Sequence, residues 1–467
     1  MNNDAKNWAE STFGQCDLGD PRRTKRLIKY AQQQAEAPTF STMASSNGNT
    51  AKSEGAYRLL RNKHIEANDI MHGVALATAE LCKGRQVLLA IQDTTSVDVA
   101  HIPLREELSD SGSPTGFLVH STLMVDAKLG LPIGLIDLVH WTRPKNREKK
   151  RTQKKTYTEK ESYKWEQASC RMVDLIGDVS HIITVCDREA DIYEFLQYHT
   201  KNGQRFIVRA AQNRRINDEE LLWDQMEKMP VVGYREVKIE QRGPWKPAFE
   251  KVRPGRKKRT ATLEVRAGEV RLLCPKSDSP KDTTPIVLNA VYVKEINVSD
   301  GREALEWRLL TTEPVKSSDE ANTVVNYYEK RWIIEEFHAS WKVGCRLEER
   351  PLQSLEAVAR MIAITAPIGV RLLQLQSLAD SDPNGSCEKI LTKEEWQCLH
   401  AFSNSDKALP SKSPTNEWVY YTIAKMGGWI DTKRTGRVGW KAMWIGWSRF
   451  QDRLYGWRMA KGAYGGR

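Results

Sequence analysis

The spacing of apolar and polar positions changes character several times along the chain. The first seventy residues follow a helical period, with Asp20 placed to cap a helix that has Pro21 at its first position. From residue 87 the period becomes strand-like. Val87–Ile91, Phe117–Val125 and Ile133–Val139 are apolar runs divided by turn-forming segments, which predicts a meander of three strands. A helix over about 159–176, a strand Ile182–Cys186, a helix over about 190–198 and a strand Arg205–Arg209 are expected next. The order βββαβαβ predicts an α/β fold with a mixed sheet and helices on its faces. Residues 214–300 then alternate in short runs, Tyr234–Ile239, Thr260–Val265, Val270–Leu273 and Ile286–Val293, and this predicts a β-rich insertion. After a strand at Trp307–Thr311 come a helix spanning Tyr328–Lys342 and an apolar helix Ala357–Leu378, interrupted at Pro367–Gly369. The turn-rich stretch Asp380–Gly385 introduces a helical C-terminal region.

A length of 467 residues exceeds what one core usually serves, so two or more domains are expected. Lys plus Arg number 71 and Asp plus Glu 60, a net charge of +11 that favours a polyanionic partner. No run of eighteen apolar residues occurs and the first residues are polar, so a soluble intracellular protein with no membrane partner is expected. The 8 cysteines are scattered without a CxxC pair, which predicts reduced thiols and no zinc site. Of 15 tryptophans, Trp418, Trp429, Trp440, Trp444, Trp447 and Trp457 crowd towards the C-terminus, a density suited to packing between helices or subunits.

Two carboxylates directly follow apolar runs, Asp93 after Val87–Ile91 and Asp187 after Ile182–Cys186, where reacting groups converge in open sheets. A third, Glu335, belongs to a stripe of Tyr328, Arg331, Glu335 and Lys342, which at about 100° per residue share one face of a helix. Ile333, Ile334, Phe337 and Trp341 form its apolar side. Three carboxylates meeting in a cleft would hold hard divalent cations, most plausibly two Mg²⁺ ions, for phosphodiester chemistry. Each also has a plainer reading: a turn or cap for the aspartates and a solvated helix face for the glutamate.

The Tyr-x2-Arg-x3-Glu-x6-Lys spacing is similar to the signature of DDE transposases in the bacterial insertion-sequence-four family. Gly19–Thr24, Glu54–Arg58, Asp93–Ser96, Val185–Ile192, Arg331–His338 and Lys433–Gly436 resemble that family's motifs in the same order, over nearly the whole chain. The resemblance implies an RNase-H-like mixed-sheet catalytic core over 71–375 with a β-strand insertion at 213–305. It also implies a helical DNA-binding domain over 1–70 and a helical dimerisation domain over 376–467. Asp93, Asp187 and Glu335 would be the catalytic, metal-binding triad, using Mg²⁺ or Mn²⁺. Tyr328, Arg331 and Lys342 would hold backbone phosphates, Trp307 would pack on a flipped base, and Arg209 would lie near the active site. Arg22, Arg23 and Arg26 would grip transposon-end DNA. Implied too are cut-and-paste chemistry through a hairpin, a homodimer in the synaptic complex, target DNA as second substrate, and a bacterial cytoplasmic location.

Several residues keep a second reading. Trp307 also suits a core aromatic, Arg209 a surface cation, and the α-helical arginines a solvated face, although cations at a helix N-terminus oppose its macrodipole. Ala339 stands where the relative matching these motifs has lysine. The basic stretch Arg143–Lys155, acidic in that relative, is expected to touch DNA. A transposase-derived DNA-binding protein without catalysis and a generic RNase-H-like nuclease are the competing functions.

Overall fold

The computed structural model describes residues 4–36, 41–46, 48–99, 116–143, 155–239, 258–276, 282–298, 304–403, 408–432 and 437–462. The motif Lys433–Gly436, most of the basic stretch Arg143–Lys155 and residues 253–257 lie outside them. The chain divides into two compact units: residues 1–149, 171–177 and 332–467 form the first, residues 150–170 and 178–331 the second.

The first unit opens with five helices, α1 (Ala5–Phe13), α2 (Pro21–Glu36), α3 (Thr42–Ser45), α4 (Thr50–Leu60) and α5 (Ala67–Cys82). The Asp4 carboxylate accepts the Asn7 N–H and the Asn49 amide oxygen that of Lys52, so α1 and α4 begin on capped donors. Three long strands follow, β1 (Leu88–Asp98), β2 (Gly116–Asp126) and β3 (Pro132–Thr142), paired antiparallel in the order β3-β2-β1, as the meander requires.

The second unit holds most of α6 (Lys164–Ile176), whose last turns belong to the first. It continues through β4 (Ile182–Cys186), α7 (Tyr193–Lys201) and β5 (Arg205–Arg209), a βαβ unit with β4 and β5 parallel. Helix α8 (Leu222–Lys228) precedes β6 (Val231–Ile239), β7 (Arg259–Leu272), β8 (Ile286–Ile296) and β9 (Glu306–Thr311). These strands are antiparallel in the order β5-β9-β8-β7-β6, so the unit's sheet is mixed. Trp165, Phe195, Phe206, Tyr292 and Leu310 lie in its core. The unit ends on α9 (Ser318–Glu329), which starts at a capping box formed by Ser317 and Glu320.

The chain re-enters the first unit at α10 (Trp332–Cys345), followed by α11 (Leu355–Ser381), α12 (Lys393–Ser403), α13 (Asn416–Met426) and α14 (Trp440–Ala460). Helix α11 is long and apolar enough to cross a bilayer, yet 89% of that stretch is buried, as befits a core helix that is apolar all round. No disulfide joins any of the cysteines.

Four expectations are corrected. Asp93 is not at a strand end: β1 runs five residues past it to Asp98, because Thr94–Val97 stay paired along β2. Tyr328–Lys342 is two helices, with Lys330 and Arg331 in the break. The expected strands at 260–265 and 270–273 are one strand, β7, since Arg266–Glu269 stay paired to β8. Helix α11 runs through Pro367. Its neighbour Gly369 lets α10 approach closely, a Cβ there lying 2.7 Å from the Trp341 Cβ, and this packing outweighs the missing N–H.

Candidate functional site

In the second unit, Asp187 is the residue immediately after β4. Its Oδ1 accepts the Glu189 N–H at 2.8 Å, so the carboxylate caps the short helical turn Arg188–Ala190. Arg209 ends the neighbouring parallel strand β5 and donates from Nη2 to the Glu306 carbonyl of β9 at 3.0 Å. Trp307 of β9 packs edge-on against Tyr328 of α9, with ring centroids 6.0 Å apart. The last turn of α9 is held by Arg235 of β6, whose guanidinium donates to both Glu329 carboxylate oxygens and to Asn326, each at 3.0 Å.

Tyr328 is 5% exposed, and its phenol is raised above the ordinary tyrosine range by that burial. Arg331 and Arg209 pull in the opposite direction, and Asp187 adds to the rise. The hydroxyl therefore stays protonated and can donate. The same forces show that Asp187, Arg209 and Arg331 are electrostatic neighbours of one buried phenol. Five of the residues singled out from sequence (Asp187, Arg209, Trp307, Tyr328 and Arg331) thus gather in one unit. The Tyr328 phenol thus has two guanidiniums, a carboxylate and the Trp307 ring as neighbours, groups whose chemistry suits a phosphate and an unstacked base.

The first unit carries Asp93, Glu335 and Lys342. Asp93 lies mid-strand with its Oδ1 accepting the Thr94 N–H at 2.7 Å, and it pairs directly across from Ser121 of β2. Residues paired in this way share a face of the sheet. Ser121 Oγ meets His338 Nε2 of α10 at 3.3 Å, so the Asp93 side chain is on the face that α10 covers. Glu335 is three residues before His338, hence on the same side of the helix one turn earlier. Burial pushes the His338 imidazole down to about 3, with Lys342 adding to the effect, so no positive charge stands there at neutral pH. Lys342 turns its ammonium to the Ser96 carbonyl at 2.8 Å and to Glu348 at 3.7 Å. On the opposite face of β1 and β2, His120 links Thr94 and Gln92 through its two ring nitrogens.

Glu336, next to Glu335, has a different task. It pairs with Arg437 at 2.9 Å and accepts Trp440 Nε1 at 2.7 Å. Trp444 donates to the Ser340 carbonyl at 2.7 Å and fills the space over Gly344, where any Cβ would overlap the indole. Trp447 donates to the Ala35 carbonyl. Three of the clustered C-terminal tryptophans therefore pack within this chain.

On α2 the three arginines differ. Arg22 is 89% exposed and forms a salt bridge of 2.8 Å to Asp20, whose carboxylate that hydrogen bond holds down at about 2. The acid at the helix start thus offsets the macrodipole cost of the cations. Arg23 turns inward and donates to the Leu18 carbonyl at 2.8 Å and the His64 carbonyl. Arg26 is exposed, as are Lys25 and Lys29.

Among the described residues no group of three or more His, Cys, Asp or Glu is gathered for a metal ion. The donor chemistry nevertheless fits a hard divalent cation, since Asp93, Asp187 and Glu335 offer only carboxylate oxygens. Sequence reasoning passed over two buried hydrogen-bonded pairs, Asp191 with Arg214 and Ser121 with His338. Asp191 and His338 fall inside quoted motifs, but nothing in their spacing marks a buried partner.

Residues 5–65 match the transposase DNA-binding family and residues 165–366 match the transposase DDE domain family. Together these matches define the chain as a DDE transposase with a DNA-binding segment. Its mixed α/β fold carries the RNase-H-like core of that domain. Among solved structures, the cryo-EM structure of the piggyBac transposase synaptic complex with hairpin DNA is similar at 10% identity, over 81% of this chain and 76% of that one, with a TM-score of 0.39.

Proposed function

We propose that the chain performs cut-and-paste DNA transposition as a member of the insertion-sequence-four family, similar to the transposon-five transposase. The observation that carries this reading is the gathering of Asp187, Arg209, Trp307, Tyr328 and Arg331 within the stretch that matches the DDE domain. Asp93, Asp187 and Glu335 would hold Mg²⁺, two ions per site, or Mn²⁺ in its place. When bound, such ions activate the attacking oxygen and stabilise the leaving one in an in-line displacement.

The chain's own residues supply the rest. Arg331 and Arg209 clamp a backbone phosphate through guanidinium forks, Lys342 adds a point charge, and the protonated Tyr328 hydroxyl donates to a phosphate oxygen. The aromatic face of Trp307 receives a base displaced from the stack, which lowers the cost of the sharp bend a hairpin requires. Water nicks the transferred strand, the freed 3′-hydroxyl attacks the opposite strand, water reopens the hairpin, and the 3′-hydroxyl joins target DNA. The N-terminal helices, with the outward cations of α2, grip the transposon end, residues 1–70 forming that domain. Residues 71–375 form the catalytic domain, and residues 376–467 join two copies in a synaptic complex. The protein acts on DNA in a bacterial cytoplasm.

The test is Mg²⁺-dependent cleavage of end-bearing DNA by the wild type, Asp187→Ala and Glu335→Ala. Loss of about a thousand-fold in each variant is expected, corresponding to the several kcal/mol a metal site supplies. Equal cleavage by all three proteins would sink the triad and leave a DNA-binding protein or a nuclease with a different site.

A further inference from the structure

Asp191 is four residues beyond Asp187, and its side chain is wholly buried, 0% exposed, against an Arg214 side chain that is 9% exposed. Its Oδ2 accepts the backbone N–H groups of Ala211 and Gln212, both at 2.7 Å. Its Oδ1 accepts Arg214 Nε at 3.1 Å and Nη2 at 2.6 Å, and the same Nη2 donates to the Asp191 carbonyl at 2.7 Å. One carboxylate therefore takes four hydrogen bonds, and every donor lies in the segment just past Arg209.

The location gives the pair its meaning. Strands β4 and β5 are parallel neighbours, and the segments leaving their carboxyl ends carry Asp187 and Arg209. Nothing in a parallel ladder fixes the course of two chains once they have left the sheet. The short turn Arg188–Ala190 leads from Asp187 to Asp191, and only Ala210 stands between Arg209 and Ala211. Buried ion pairs are weak sources of stability, because desolvation offsets most of the attraction, whereas they specify geometry well when all their polar atoms are satisfied.

We propose that Asp191 and Arg214 are positioning residues, whose buried pair ties the ends of β4 and β5 together and so holds Asp187 and Arg209 at a fixed separation. This rests on the reading of Asp187 as a metal-holding carboxylate. The pair touches neither metal nor DNA. It works by limiting the directions available to Asp187, as carboxylates behind metal ligands do, where substitution commonly costs ten- to a hundred-fold in metal affinity.

The experiment uses the full chain and Mn²⁺ as probe, titrated calorimetrically without DNA, on the wild type, Asp187→Ala, Asp191→Asn, Asp191→Ala and Arg214→Lys. A parallel Mg²⁺ titration follows cleavage of end-bearing DNA. Asp191→Asn and Arg214→Lys are expected to weaken Mn²⁺ binding about tenfold and shift the Mg²⁺ midpoint upward by a similar factor, with Asp191→Ala more severe. Arg214→Lys keeps the buried charge and loses only the fork, so it serves if Asp191→Ala does not fold. Metal titrations that overlay the wild type in folded Asp191→Asn and Arg214→Lys, whatever their thermal midpoints, would reduce the pair to a structural one and overturn the proposal. If Asp187→Ala also binds Mn²⁺ like the wild type, the metal-site reading itself fails, and the proposal falls with it.

Discussion

The residues expected to act on DNA fall in both units, and their surroundings differ between the two. In the second, the buried Tyr328 phenol has Asp187, Arg209, Arg331 and Trp307 as neighbours, groups suited to holding a nucleotide backbone and base. In the first, two carboxylates, Asp93 and Glu335, accompany a buried imidazole kept neutral and one lysine turned to a main-chain carbonyl. The division places arginines about a buried phenol in one unit and a lysine turned to the main chain in the other.

Carboxylate replacement should have the largest effect and tests the division most severely. Asp93→Asn in the first unit and Asp187→Asn in the second should each lower Mg²⁺-dependent cleavage about a thousand-fold, and the double variant should fall little further, because the residues act as a unit. Multiplying losses would mean that the two units hold independent chemistry. A smaller, structural effect is expected from Gly344→Ala, whose methyl group would overlap the Trp444 indole. A loss of about 1–3 kcal/mol in urea denaturation is expected, with cleavage reduced along with it.

Each unit also has a buried histidine whose imidazole burial pushes down, His338 in the first to about 3 and His199 in the second to about 4. In the unfolded chain they titrate near 6.5, so below that pH the unfolded state takes up protons that the folded state refuses. Stability contributed at neutral pH is therefore lost as pH falls from about 6.5 towards the folded values, by roughly 2 kcal/mol per histidine at pH 5. Denaturation midpoints at pH 7 and pH 5 measure it, and His338→Gln should flatten the dependence for one unit and His199→Gln for the other. The smallest effect concerns DNA affinity. Arg331→Ala should lower the slope of log affinity against log salt by about one, as loss of one phosphate contact does. Lys342→Ala should lower it by no more than that, since its ammonium must leave the Ser96 carbonyl to reach a phosphate.

Much of the architecture was legible in the periodicity. The meander, the βαβ unit with Ile182–Cys186 and Arg205–Arg209 at their observed bounds, and the α/β class all follow from runs of β-branched residues between turn signals. What escaped was anything decided by contact. Residues Thr94–Val97 are polar enough to resemble a loop, and they remain strand because β2 pairs with them throughout. Pro367 reads as a breaker, and α11 continues through it because α10 packs close against Gly369. Within the candidate site, the spacing of Tyr328, Arg331, Glu335 and Lys342 picked out four residues but implied one helix. The break at Lys330–Arg331 hands the first pair to one unit and the second pair to the other. The partners Asp191, Arg214 and Ser121 were invisible because a buried hydrogen bond leaves no periodic trace.

The casing of α10 by the C-terminal tryptophans has a practical side. Trp440 bonds the carboxylate adjacent to Glu335, and Trp444 seats on Gly344 of the same helix. Random mutagenesis followed by a screen for activity would therefore return substitutions more than a hundred positions downstream of Glu335 that act on the same helix. A map of hits drawn along the sequence would mistake them for a second functional region.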